Sequence, residues 1–276
     1  MATLTIQKEQ KTAQYFREKL GNEIELDMIL VHGGDFLMGS PETEDERSED
    51  EKQHPVTVKS FFLGRYPVTQ VQWRIVAETY DQVNIELNPN PSSFEGAKRP
   101  VEQVSWYEAQ EYCDRLAKKT KRPYHLPTEA EWEYACRAGT TTPFYFGNTI
   151  STELANYDGN YIYANGVKGE HRNETTPVDH FNIANAWGLC DMHGNVSEWC
   201  QDHWHSYYGA FVEGNAWVTD NSDSPRINRG GSWISYPRGC RSASRGNDFP
   251  DARFNGLGFR VSCSAPATLQ PPTDQS

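Results

Sequence analysis

The segment RGGSWISYPRGCRSASRGNDFPDARFNGLGFR, running from Arg229 to Arg260, decides how this chain is read. Two kinds of residue interleave in it. Gly230, Gly231, Trp233, Pro237, Arg238, Arg241, Arg245, Arg253, Gly258, Phe259 and Arg260 have the makings of a scaffold. Glycine permits sharp turns, and arginine carries five donors that can reach backbone carbonyls across irregular loops. Between them sit Ile234, Ser235, Tyr236, Gly239, Ser244, Gly246, Asn247, Asp248, Phe249, Ala252, Phe254, Asn255 and Gly256. This second set has no hydrophobic period and no charge logic. A fixed frame bearing arbitrary decoration is the chemistry of a recognition surface.

Outward from that segment the chain reads as one domain. Residues 1–23 are expected to be a lead-in with a short amphipathic helix up to about Leu20, residues 24–264 the body, and residues 265–276 a disordered, Pro-rich tail. IELDMILVHGGDFLMGS (24–40) reads as strand, glycine turn and strand, and HPVTVKSFFLGRYPVT (54–69) returns to strand alternation. The acidic run at 42–51 has no apolar period and reads as a solvated loop, with a calcium loop as the alternative. Two helices are signalled. Ser105 caps the first with Glu108 three residues on, and Thr128 caps the second with Glu131, ending near Gly139. Beyond Gly139 short strands and loops are expected.

Composition narrows the function. A formal net charge of −12 opposes non-specific nucleic-acid binding and attraction to anionic membranes. The N-terminal MATLTIQKEQKTAQYF lacks the apolar core of a signal peptide, and no apolar run reaches transmembrane length, so a cytoplasmic location is the expectation. Six cysteines without a CxxC pair read as small buried hydrophobes of a reducing compartment.

Six motifs occur in order: GGDFLMGS, YPVTQVQW, RPVEQVSWYEAQEYC, YHLPTEAEWEYACRAG, GLCDMHGNVSEWCQDHW and RGGSW…CRSASR…GFR. Together they resemble the formylglycine-generating-enzyme (sulfatase-modifying factor) family over about residues 24–264. The resemblance implies an α+β fold of the C-type lectin type, loop-rich, with short strands and two main helices.

The family's functions differ, and the residues sort them. Copper-dependent formylglycine generation uses two cysteines five residues apart after the GGS motif. Here Cys240 matches the second, but Ser235 stands at the first, and a hydroxyl is a poor ligand for Cu(I). No copper and no catalytic residue are therefore expected. Iron-dependent carbon–sulfur chemistry needs an appended helical domain, for which the lead-in is too short. The DHxH cluster of Asp202, His203 and His205 is more simply read as locally hydrogen-bonded. The family's calcium loops, carried over, would use Asp191, the carbonyls of Gly194 and Val196, and Glu198; a second, weaker match is Asn156, the Tyr157 carbonyl and Glu170.

The third function fits best. Variable proteins of diversity-generating retroelements end in a similar segment whose template asparagine codons are randomised at adenines. Such codons keep a pyrimidine in the third base and never give Lys, Glu, Gln, Met or Trp. None of those five types occurs among the thirteen decorating residues. The resemblance thus implies a ligand-binding protein, with a variable region at about 234–257 and a protein or other macromolecule as ligand. Tyr236, Phe249 and Phe254 are the strongest contact candidates, with burial in the core as the competing placement; Trp233 and Phe259 should anchor the frame, and the arginines should brace it. A copper oxidase and a non-catalytic small-molecule binder are the alternatives.

Overall fold

A computed structural model describes residues 7, 9–206, 215 and 223–270. Its backbone is organised by a five-stranded sheet ordered β1-β2-β5-β11-β6. β1 (Tyr15–Gly21), β2 (Ile24–Val31) and β5 (Phe61–Gly64) come from the N-terminal part, and β11 (Ser262–Ser264) brings the C-terminal end back between β5 and β6 (Tyr124–His125). Ser262 pairs with both Leu63 and His125, so the segment after the variable region is locked between strands of the N-terminal half. β3 (Gly34–Met38) and β4 (His54–Val58) form a separate hairpin.

The second sheet carries the region of interest. It is ordered β10-β7-β8-β9, with β7 at Ser197–His203, β8 at Arg226–Arg229, β9 at Arg245–Asp248 and β10 at Leu257–Gly258. The variable region therefore crosses this sheet twice, as edge strands β9 and β10, and loops over its end between them.

Three helices lie among the described residues: α1 (Gln70–Thr79), α2 (Trp106–Thr120) and α3 (Glu129–Arg137). Each begins with a reciprocal capping box: Thr69 with Gln72, Ser105 with Glu108, and Thr128 with Glu131. α3 ends at Arg137, and Ala138 and Gly139 follow at positive φ. The α+β architecture stands as expected, but the helix count does not. α1 follows directly on the strand-like run at 54–69, which masks it in the sequence although Thr69-x-x-Gln72 is its capping signal.

Two further expectations are corrected. Residues 15–21 form no helix but an edge strand: Phe16, Glu18 and Leu20 turn inward at period two, and Phe16 packs edge-on against Phe62 at 4.8 Å. Positive φ at Gly21, Asn22 and Glu23 closes the hairpin to β2. At the other end, residues 265–270 are ordered: a 3-10 turn spans Ala267–Leu269, and the Gln270 side chain accepts from Ser60 N–H and donates to its carbonyl. The remainder of the expected tail, 271–276, lies outside the described residues.

The largest core cluster joins α1 and α2 to the sheet through Trp73, Tyr112 and Phe259, whose rings are mutually in contact at 5.3–6.0 Å. A second packs α3 through Trp132 beneath β5 and β8. All six cysteines are free and buried. Among the described residues no helix is long and apolar enough to cross a membrane.

Candidate ligand-binding face

Beyond Arg229, three arginines of the terminal segment reach into the body. Arg260 is fully buried and grips Glu198 of β7 with two hydrogen bonds, Nε to Oε2 at 2.6 Å and Nη2 to Oε1 at 2.7 Å. Its remaining donors go to the carbonyls of Gly64 and Cys190. Arg245 forks onto Glu129 at the start of α3, at 2.7 and 3.0 Å. Arg241 binds Glu51 through both nitrogens at 2.7 and 2.8 Å, and Glu44 at 2.6 Å. Charge-assisted, bidentate pairs of this kind fix direction as well as position.

The Arg241 pairs overturn the reading of 42–51 as merely solvated. Glu44 and Glu51 turn inward and are buried, while Glu42, Asp45, Glu46 and Glu49 stay exposed. Burial pushes the Glu44 carboxyl up, and Arg241 opposes that shift. No local period could reveal this, because the partner lies nearly two hundred residues away. The buried acids do not make a calcium loop, since their oxygens hold a guanidinium.

The frame also has a steric element. Gly230 and Gly231 adopt φ of +91° and +68°, and a Cβ on Gly231 would stand 2.7 Å from Cys240 Sγ. Phe259 is wholly buried; Trp233 is buried, donates from Nε1 to the Asn255 carbonyl, and meets Phe94 edge-on. Bracing by the arginines holds for three of five. Arg238 and Arg253 lie at the surface, the latter paired with Glu108 at 2.9 Å.

The thirteen decorating residues are placed differently. Ile234, Tyr236, Asn247, Phe249 and Phe254 are exposed, and Ser235, Gly239, Ser244, Gly246, Asp248, Ala252 and Asn255 are half-buried. The four large apolar ones expose 55%, 46%, 62% and 51% of their surface, which removes core packing as their role. Gly256 is the exception. It is buried beneath Ser232, where a Cβ would meet Oγ at 2.8 Å, so it cannot offer a side chain to a ligand. Gly246 and Asp248 are also constrained by Asn228, whose Nδ2 donates to Asp248 Oδ2 at 2.9 Å.

The metal sets fare unequally. The two-cysteine copper set does not fit: Cys240 is packed among Phe144, Ile150, Ala155, Tyr157 and Tyr163, and burial lifts its thiol to about 12. Ser235 Oγ accepts from Ser232 N–H instead. His193 beside it is held neutral, pushed by burial down to about 3; Nδ1 donates to the Cys240 carbonyl and Nε2 accepts from Tyr145 N–H. The first calcium set does not fit either. Glu198 spends both oxygens on Arg260 and also accepts from Trp132 Nε1, and a cation there would face a buried guanidinium. Asp191 is left with an unpartnered oxygen and a carboxyl lifted to about 8 by burial. In the second set, Asn156 Oδ1 is buried without a partner while its Nδ2 donates to the Glu174 carbonyl, and that oxygen is free to ligate. Glu170 lies at the surface, 3.1 Å from Arg172. Asp202 accepts from Glu129 N–H, in keeping with a local structural role for the DHxH cluster. Among the described residues no group of three or more His, Cys, Asp and Glu side chains is arranged to hold a metal.

The chain is similar to known proteins along most of its length. The family model of the sulfatase-modifying factor enzyme 1-like domain matches residues 16–265. Chaperone protein LppX of Paenibacillus barcinonensis is 32% identical, over 76% of this chain and 79% of its own length. Mouse formylglycine-generating enzyme is 33% identical, over 86% and 74%. The chain spans only 37% of another relative, the serine/threonine-protein kinase pkn1 of Chlamydia caviae, 33% identical over 85% of this chain. Among solved structures, PvdO from Pseudomonas aeruginosa superposes with a TM-score of 0.77 at 33% identity, covering 93% of this chain and all of that one. Treponema denticola variable protein 1 superposes with a TM-score of 0.73 over the same shares, at 23% identity, a likeness of fold.

Proposed function

This chain belongs to the sulfatase-modifying factor enzyme 1-like family, and from that premise we propose that it is a non-catalytic ligand binder of the diversity-generating-retroelement kind. Its diversified face is built by the decorating residues from Ile234 to Asn255, and its ligand is a protein. The observation that carries this is the exposure of Ile234, Tyr236, Phe249 and Phe254 on a segment whose Trp233, Arg241, Phe259 and Arg260 are buried. Exposed aromatics at that density would be a solubility liability without a purpose, whereas they give contact area at low entropy cost in a binding surface. A diversified face on a fixed fold also explains Ser235 in place of a thiol, since the position is then free to vary. The six free cysteines fit a reducing, cytoplasmic compartment.

The test is in the source genome. The reading expects a near-copy of the 3′ coding segment, beside a reverse-transcriptase gene, that differs from it only at adenines. Absence of such a copy overturns it. The oxidase alternative predicts copper affinity that depends on Cys240, and unchanged affinity in Cys240→Ala removes that alternative.

A structural cation is proposed at Asn156 Oδ1, the Tyr157 carbonyl and Glu170, where it would tie down the loop that follows Asn156. A bound ion stabilises the native state by mass action. A thermal melt should fall by a few degrees in chelator and recover with Ca2+, and coincident melts would remove the site.

A further inference from the structure

Beside the variable face lies a half-open notch of about 150 Å3, lined by Glu46, Tyr161, Ile162, Tyr236, Pro237 and Arg238. Only Tyr236 belongs to the diversified set. We propose that this notch, five of whose six lining residues lie outside the diversified set, is an anchor within the binding face and receives a lysine or arginine side chain of the protein ligand. The proposal rests on the ligand-binding reading above and adds the chemistry of the partner.

Three observations select that occupant. First, the walls are aromatic and solvent-facing. Tyr161 and Ile162 expose 46% and 50% of their surface, and the Tyr161 and Tyr236 rings meet at 4.1 Å, tilted by 41°. Tyrosine faces attract cations, and Arg238 already places its guanidinium 6.0 Å from the Tyr236 ring.

Second, the notch carries one acid, Glu46, and the loop that bears it is acidic. Glu46 is exposed and makes no ion pair among the described residues, yet its backbone is fixed because its carbonyl accepts from Arg241 Nη2 at 3.1 Å. Glu42, Asp45 and Glu49 are exposed on the same loop, and the whole chain carries −12. A basic partner is the electrostatic complement, and the loop's charge would steer its approach.

Third, the placement is fixed. The buried Arg241–Glu44–Glu51 cluster clamps the acidic loop to the variable segment, so Glu46 and the backbone at position 236 keep their distance whatever side chain stands at position 236. Arg238 is the one lining group that opposes an incoming cation. Its removal should therefore tighten binding, an effect no merely structural role would produce.

The experiment titrates N-acetyl-arginine amide into the full chain and follows the tyrosine ring protons, with N-acetyl-citrulline amide as the neutral isostere. Arginine should bind about fivefold more tightly than citrulline, and more weakly as salt rises. Glu46→Gln and Tyr161→Ala, both surface changes, should each weaken it about three- to fivefold, and Arg238→Ala should strengthen it. Equal binding of citrulline, or an affinity indifferent to Glu46→Gln, overturns the proposal. Either failure leaves the genomic test of a diversified face untouched, and loss of that test leaves this titration standing.

Discussion

Phe249 and Phe259 are ten residues apart in one segment, yet the first exposes 62% of its surface and the second none. Phe259 stacks edge-on with Trp73 and Tyr112 in the main core; Phe249 stands on the open end of the β9–β10 loop. The arginines divide in the same way. Arg241, Arg245 and Arg260 are tied to buried carboxylates of Glu44, Glu51, Glu129 and Glu198, whereas Arg238 and Arg253 lie outside. One stretch of chain thus holds two populations, one fixing the fold and one spared from it. The lesson is that a surface can be free to vary because its neighbours, residue by residue, are not.

Breaking the frame should give the largest effect. Arg260→Ala strands Glu198 in the core, and Arg241→Ala strands Glu44 and Glu51. Removing one member of a buried pair costs about 3–5 kcal/mol, since the surviving charge keeps its desolvation penalty. Denaturant titration should show a loss of that size for each, and a loss under about 1 kcal/mol would mean that the arginines do not hold the frame.

A smaller effect concerns Glu102, whose partner Phe94 meets Trp233 edge-on. Glu102 is fully buried, accepts from Phe94 N–H with one oxygen and leaves the other unpartnered. Burial lifts its carboxyl to about 7. The folded state then binds its proton more tightly than the unfolded state does. Its contribution is full below the unfolded carboxylate value and is lost as pH rises through about 7. Glu102→Gln should flatten the pH dependence of stability between about pH 5 and 8 and stabilise the protein at pH 8, on the order of 2 kcal/mol. An unchanged slope would remove Glu102 as its source.

Much of this division was legible in the residues. The alternation of glycine, arginine and aromatic residues with arbitrary ones marked the frame, and the capping boxes at Ser105 and Thr128 marked two helices. What escaped notice depends on distance. Glu44 and Glu51 look like any acids of a charged run until Arg241 arrives from the far end of the chain. Tyr161 and Ile162 sit in a loop with no motif, and only the fold brings them to Tyr236. Glu198 matched a metal loop by sequence, but its oxygens are spent on Arg260. Gly256 looked like another decoration, and the turn under Ser232 makes it part of the frame.

The exposed decorated positions carry no folding energy, and one variant tests this. Ile234, Tyr236, Asn247, Phe249 and Phe254 are replaced together by other residues that adenine randomisation allows, such as Ser, Asn, Asp, Asn and Ser. Surface substitutions of this kind each change stability by about 0.5 kcal/mol or less. The melting temperature should stay within about 3 °C of the parent's, and ligand binding should be lost. A drop comparable to that of Arg260→Ala would contradict it, for the decoration would then be part of the frame.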